Sequence, residues 1–208
     1  DTFARMLEGC ALVLDFFGGV GRAKLIPTAA RIICAEIEYP FAVQGCDLVA
    51  DATYMPYSAG AFDGAVTSPT YGNRMADHHK ARDGSRRNTY AHGLRDAIPD
   101  YQLHPNNTGG MQWGDTYRAV HVAAYTEARR VLCPGGRLVI NVADHVRAGA
   151  LVPVTDWHIT TLAGLGFRLV EHERVPTPGL RHGANGQARA GYESIMLFAA
   201  PGRFPVVE

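Results

Sequence analysis

The stretch Ala11-Leu12-Val13-Leu14-Asp15-Phe16-Phe17-Gly18-Gly19-Val20-Gly21 decides how this chain is read. An apolar run of strand length ends in an acid and turns at once through crowded glycines. Such a turn lets backbone approach a ligand closely while the acid accepts hydrogen bonds from a cationic group. Two further runs repeat the theme: Arg31-Ile32-Ile33-Cys34-Ala35 ends at Glu36, and Cys46-Asp47-Leu48-Val49-Ala50 ends at Asp51. A carboxylate placed like Glu36 can take both hydroxyls of a ribose, and one placed like Asp51 can accept from an adenine amino group. The glycines suit neither common phosphate loop. No Lys-Ser or Lys-Thr follows them, and Gly18, Gly19 and Gly21 are too crowded for G-x-G-x-x-G. The ligand implied is a nucleoside carrying an amino acid, with its ammonium near Asp15, rather than a pyrophosphate.

Working outward, residues 61–67 form a fourth apolar run and residues 137–142 a fifth, with two late strands at 167–175 and 192–199. Between them, residues 115–132 carry Tyr117, Val120, His121, Ala124, Ala128 and Val131 at helical spacing, and Cys133-Pro134-Gly135-Gly136 is a stop signal. A second amphipathic helix fits 155–165, ended by Gly166. Strands alternating with helices predict an α/β fold with a mostly parallel sheet covered on both faces. Residues 72–114 break the alternation. They are polar and too long for an ordinary connection, so they read as a functional excursion, and residues 176–191 are a shorter one.

With 208 residues, 47% of them hydrophobic, the chain can bury one substantial core, and a single domain over 1–208 is expected. Lys plus Arg balances Asp plus Glu at 20 each, so any surface for a polyanion must be local. Cys10, Cys34, Cys46 and Cys133 have no zinc-ligand spacing, and most sit in or beside apolar runs where a reduced thiol packs as a small hydrophobe. No apolar run approaches the ~18 residues of a membrane span and no signal peptide is legible, which leads to a cytoplasmic expectation. His78, His79, His92 and His104 do not make a metal site: adjacent histidines point apart, and no cysteine lies near enough to complete one.

The fourth run leads into Ser68-Pro69-Thr70-Tyr71, and the excursion follows directly. From Arg74 to Arg95 six cations (Arg74, Lys80, Arg82, Arg86, Arg87 and Arg95) face two acids, Asp77 and Asp83. A neutral chain thus sets a basic patch beside its candidate site, where phosphate contacts would give salt-sensitive affinity without sequence information. Arg181, His182, Asn185 and Arg189 form a second, weaker set in the shorter excursion.

Taken together, these motifs resemble the S-adenosylmethionine-dependent amino-methyltransferases of DNA, of the N4-cytosine and N6-adenine type, and small phage or bacterial DNA methylases in particular. Asp15 to Gly21 is similar to the D-P-F-x-G-x-G cofactor motif, and Ser68 to Tyr71 to the (D/N/S)-P-P-(Y/F) catalytic motif, in the same order. The resemblance implies a Rossmann-like class I fold with seven strands, the last antiparallel. It also implies S-adenosylmethionine held by Asp15, Phe16, Phe17, Gly18, Gly19, Gly21, Glu36, Ile37, Asp51 and Ala52. An exocyclic amino nitrogen is a poor nucleophile because its lone pair is delocalised. In the family the first motif side chain and the next carbonyl accept the amino hydrogens, here Ser68 and Pro69, and the aromatic residue, here Tyr71, stacks on the flipped base.

Phe16 and Thr70 stand where the family has prolines, and Thr70 is expected to loosen the turn without removing an acceptor. Serine at position 68 leans slightly toward cytosine N4. DNA is the expected partner, bound through Arg74, Lys80, Arg82, Arg86 and Arg87, with RNA open. With no separate recognition domain, site reading should be short, relaxed or shared within a homodimer. Rival readings are an RNA guanine amino-methyltransferase, a protein glutamine methyltransferase, and a catalytically idle cofactor-binding module.

Overall fold

The computed structural model describes residues 1–70, 98, 100–147, 150–177 and 191–202. The chain opens with α1 (Thr2–Met6), whose first amides donate to the Asp1 side chain, and enters β1 (Leu12–Asp15). A 3-10 turn at Arg22–Leu25 leads to β2 (Arg31–Glu36), α2 (Tyr39–Ala42), β3 (Leu48–Val49) and β4 (Phe62–Thr67). A second 3-10 turn at Thr108–Gly110 precedes α3 (Asp115–Val131), which runs straight into β5 (Leu132–Val142). A hairpin of β6 (His145–Arg147) and β7 (Ala150–Val152), α4 (Val154–Gly164), β8 (Arg168–Pro176) and β9 (Tyr192–Ala199) complete the order.

Seven strands form one sheet in the order β3-β2-β1-β4-β5-β9-β8. β1 runs parallel to β2 and β4, β2 to β3 and β4 to β5, while β9 lies antiparallel to both β5 and β8. The predicted seven-stranded sheet with an antiparallel last strand is therefore present. The order reverses between β1 and β4, so the loops leaving their carboxyl ends diverge and open a crevice at Asp15 and Thr67.

Alternation along the strands divides the core. Leu14, Leu138, Ile140, Met196 and Phe198 pack under α3 and α4 with Ala124, Tyr125, Ala128 and Leu162. Val13, Ile32, Cys34, Val66, Val139, Ile195 and Leu197 face the other way, onto Met6 and Leu7 at the α1 end, with Ala23 and Ile26 of the first 3-10 turn against them. Among the described residues, the first face thus packs against the two longest helices, and the second against the end of α1 and the first 3-10 turn.

Differences from the sequence expectation are local. β5 begins at Leu132, paired with Phe62, and the register shifts before Arg137 pairs with Gly64, so the Cys133–Gly136 stop signal bulges within a strand, with Gly135 at φ +75°. The three-residue strands β6 and β7 form a separate sheet, too short to show a period of their own.

Candidate active site

Close packing fixes the glycine turn after β1. Gly18 donates to the Ala35 carbonyl at 2.8 Å, and a Cβ there would meet Cys46 Sγ at 2.9 Å. Gly21 has φ +78°, and a Cβ would lie 2.4 Å from the Gly45 carbonyl oxygen. No side chain fits at either position, which draws the turn down onto β2 and beside Glu36.

Asp15 and Glu36 end their strands and Asp51 lies just past β3, each in a different setting. Asp15 is only 5% exposed. Burial pushes its carboxyl up from 3.8 to about 7, the Phe17 amide hydrogen bond at 3.2 Å offsetting part of the effect. Glu36 accepts from Gly19 N at 2.8 Å and from Glu38 N at 3.0 Å, which aims its carboxylate along the turn. Asp51 accepts from the amide and hydroxyl of Thr53, both at 2.8 Å, and from Asn106 Nδ2 at 2.7 Å. Burial opposes its ionisation, but these hydrogen bonds outweigh that and hold the carboxyl below its ordinary value. Three of its roughly four acceptor directions are used, leaving one for a ligand donor.

The turn after β4 places Ser68 exposed, Pro69 buried and Thr70 half-buried. Thr70 has partners on two sides. Its hydroxyl lies 2.8 Å from the Thr108 hydroxyl, and its carbonyl accepts from the Tyr117 hydroxyl of α3. Tyr117 stacks on His121 at 4.1 Å, and His121 stacks on Phe17 at 5.3 Å, so a column of rings joins the glycine turn to the second turn. Burial pushes the His121 imidazole down to about 4, with Nδ1–H donating to the Tyr117 carbonyl, so the column is uncharged near neutrality.

These elements enclose one cavity of about 150 Å³. Phe16, Phe17, Gly19, Glu36, Ile37, Asp51 and Ala52 of the expected cofactor set line it, together with Ser68 and Thr70. Asp15, Gly18, Gly21 and Pro69 are not on its wall: Asp15 lies buried behind it, and the two glycines shape the turn. Tyr71, Arg74, Lys80, Arg82, Arg86 and Arg87 fall outside the described residues, as do Arg181, His182, Asn185 and Arg189. Among the described residues no group of three or more His, Cys, Asp or Glu side chains could hold a metal ion, and no helix is long and apolar enough to cross a membrane.

Three wall residues, Asn106, Asn107 and Thr108, were not singled out from sequence. Neither was Glu38, 2% exposed, which accepts from Tyr101 Oη at 2.5 Å, His104 N at 2.8 Å and Asn107 Nδ2 at 2.6 Å. The run of turn-forming residues Asn106-Asn107-Thr108-Gly109-Gly110 was the available signal for a built loop.

No model of a known protein family matches the sequence, and no curated protein matches it. Solved structures do. A SAM-dependent methyltransferase from Methanosarcina mazei is 11% identical with a TM-score of 0.58, over 97% of this chain and 98% of that one. The [4+2]-cyclase SpnF is 16% identical with a TM-score of 0.58, over 95% and 78%. The N-methyltransferase NodS of Bradyrhizobium japonicum, in complex with S-adenosyl-L-homocysteine, is 14% identical with a TM-score of 0.52, over 96% and 84%. The chain therefore has the Rossmann-like class I methyltransferase fold. A cyclase among these structures means that the fold alone does not fix the reaction, which must be argued from the site.

Proposed function

We propose that this protein transfers a methyl group from S-adenosylmethionine to the exocyclic amino nitrogen of a base in DNA. The observation that carries the reading is the shared cavity: the glycine turn with Glu36 and Asp51, and Ser68 and Thr70 of the second turn, line the same space across the reversal between β1 and β4. The donor set fits the cofactor. Glu36 is placed for the ribose hydroxyls, the remaining acceptor direction of Asp51 suits an adenine amino group, and a carboxyl titrating near 7 behind the glycine turn can become the counter-charge of an ammonium. Bound there, the cofactor supplies an electrophilic methyl group on a sulfonium.

The chain's own residues prepare the nucleophile. Ser68 Oγ and the Pro69 carbonyl accept the two amino hydrogens and draw the nitrogen toward tetrahedral geometry, and Tyr71 stacks on the base once it has left the helix. The Thr108 and Tyr117 hydrogen bonds hold the Ser68–Thr70 turn in place while this happens. By the resemblance to the amino-methyltransferases, serine at position 68 leans slightly toward cytosine N4, and the basic residues between Arg74 and Arg95 favour a polynucleotide over a protein loop.

Incubation with methyl-labelled S-adenosylmethionine and separate DNA and RNA pools, followed by digestion to nucleosides, tests the reading. Label in N4-methylcytidine or N6-methyladenosine of the deoxy series supports it. Label in RNA guanine, in protein or in small amines alone replaces the acceptor, and cofactor binding with no transfer makes the protein an idle binding module.

A further inference from the structure

We infer that Glu38 is a positioning residue for methyl transfer, holding the 101–110 segment so that Thr108 braces the turn that receives the target amino group. The inference rests on the methyl-transfer reading of the site. Glu38 stands two residues beyond Glu36 and donates its own amide to the Glu36 carboxylate at 3.0 Å, so it is anchored at the cofactor side of the cavity. Its carboxylate is almost wholly buried, and Tyr101 Oη, His104 N and Asn107 Nδ2 all converge on it from one distant segment. Burying a carboxylate is costly unless donors of this kind compensate, and an arrangement that uses the charge to gather a single segment gives that segment a fixed position.

That position is passed on in two short steps. Asn107, held by Glu38 through Nδ2, uses Oδ1 to accept from Gly109 N at 2.8 Å, which sets the 3-10 turn Thr108–Gly110. Thr108, 3% exposed, then meets the Thr70 hydroxyl at 2.8 Å. The Pro69 carbonyl belongs to the rigid peptide unit that ends at Thr70, so fixing Thr70 fixes the acceptor that the amino group needs. Misplacement of such a group by about 1 Å can cost on the order of 10²-fold in rate. The same anchor therefore serves the ribose-side carboxylate and the base-side turn.

The test compares Glu38→Ala, Glu38→Gln, Thr108→Val and the double variant Glu38→Ala/Thr108→Val in the full chain. The readouts are S-adenosylhomocysteine affinity by calorimetry, kcat and KM on sonicated genomic DNA, and amide exchange at residues 66–70 and 101–110. Glu38→Ala should lower kcat on the order of 10²-fold and raise exchange in both segments. In Glu38→Gln the remaining carbonyl oxygen still accepts from His104 and Asn107, and Tyr101 can turn its hydroxyl to accept, so kcat should return to within about tenfold of wild type. Thr108→Val should lower kcat, and the double variant should be no slower than Glu38→Ala alone, because both changes cut one chain of contacts.

Unchanged kcat in Glu38→Ala, or losses that multiply in the double variant, overturns the inference. Exchange that rises at 101–110 but not at 66–70 overturns it too. If the wild type labels no polynucleotide, the proposed function fails, and the exchange pattern decides the coupling by itself: a rise at both segments in Glu38→Ala that Glu38→Gln reverses keeps it.

Discussion

Replacing Asp15 by asparagine should make the protein more stable and its cofactor binding worse, in a pH-dependent way that the burial of this side chain dictates. In the fold the carboxyl titrates at about 7 against an ordinary 3.8, chiefly because burial penalises its charge. The folded state thus holds this proton more tightly than the unfolded chain does. The associated stability is complete below about pH 4, drains away as pH rises and is gone above about 7. The difference corresponds to about 4 kcal/mol at pH 8.5.

Asparagine keeps an oxygen to accept from the Phe17 amide and carries no charge to desolvate. Thermal unfolding of both proteins at pH 5 and pH 8.5 should show a small advantage for Asp15→Asn at the lower pH that grows by about 3 kcal/mol at the higher one. For a chain of this size that is a rise in Tm of roughly 6–12 °C. Calorimetry at pH 8.5 should show S-adenosylmethionine affinity falling at least tenfold, since the counter-charge to the ammonium is gone. An advantage equal at both pH values, or a variant less stable than wild type at pH 8.5, would refute the reasoning about burial. Unchanged affinity would remove Asp15 from the cofactor site.

Other substitutions separate the remaining parts of the account. Ser68→Ala should lower methyl transfer on the order of 10²- to 10³-fold by removing one acceptor, with S-adenosylhomocysteine affinity within twofold of wild type by calorimetry. Gly21→Ala sets a Cβ 2.4 Å from the Gly45 carbonyl oxygen at φ +78°, so urea unfolding should show a loss above about 2 kcal/mol together with weakened cofactor binding. His121→Phe keeps a ring between Phe17 and Tyr117 but removes an imidazole that burial pushes down to about 4. Below pH 6.5 the unfolded chain gains a proton there that the fold resists, so the wild type loses about 3 kcal/mol between pH 6.5 and 4, and the variant should unfold at lower pH when followed by circular dichroism.

The strands of the sheet were legible because parallel strands buried on both faces appear as short apolar runs, and each of the first three ends near an acid that the fold turns toward one crevice. Glu36 and Asp51 could be assigned to the cavity on that ground, and α3 showed its period over its full length. The return arm was not legible. Glu38 meets Tyr101, His104 and Asn107 across more than sixty residues of chain, and neither composition nor periodicity carries a pairing at that distance. Thr70 shows the same limit. Read locally, it is a proline lost from a stiff turn; its hydrogen bonds to Thr108 and Tyr117 join residues that only the fold brings near. The hairpin β6–β7 and the short α1 were missed because each is shorter than two periods of its own pattern.

The central claim is spatial: one cavity takes the methyl donor on one wall and the target amino group on the other. A crystal structure with S-adenosylhomocysteine tests it most directly. The account predicts the ribose hydroxyls on Glu36, the adenine beside Asp51 and Ala52, and the sulfur facing Ser68 and the Pro69 carbonyl with room for a base between them. A ligand bound away from the glycine turn, or a sulfur walled off from Ser68 by the 101–110 segment, would contradict it.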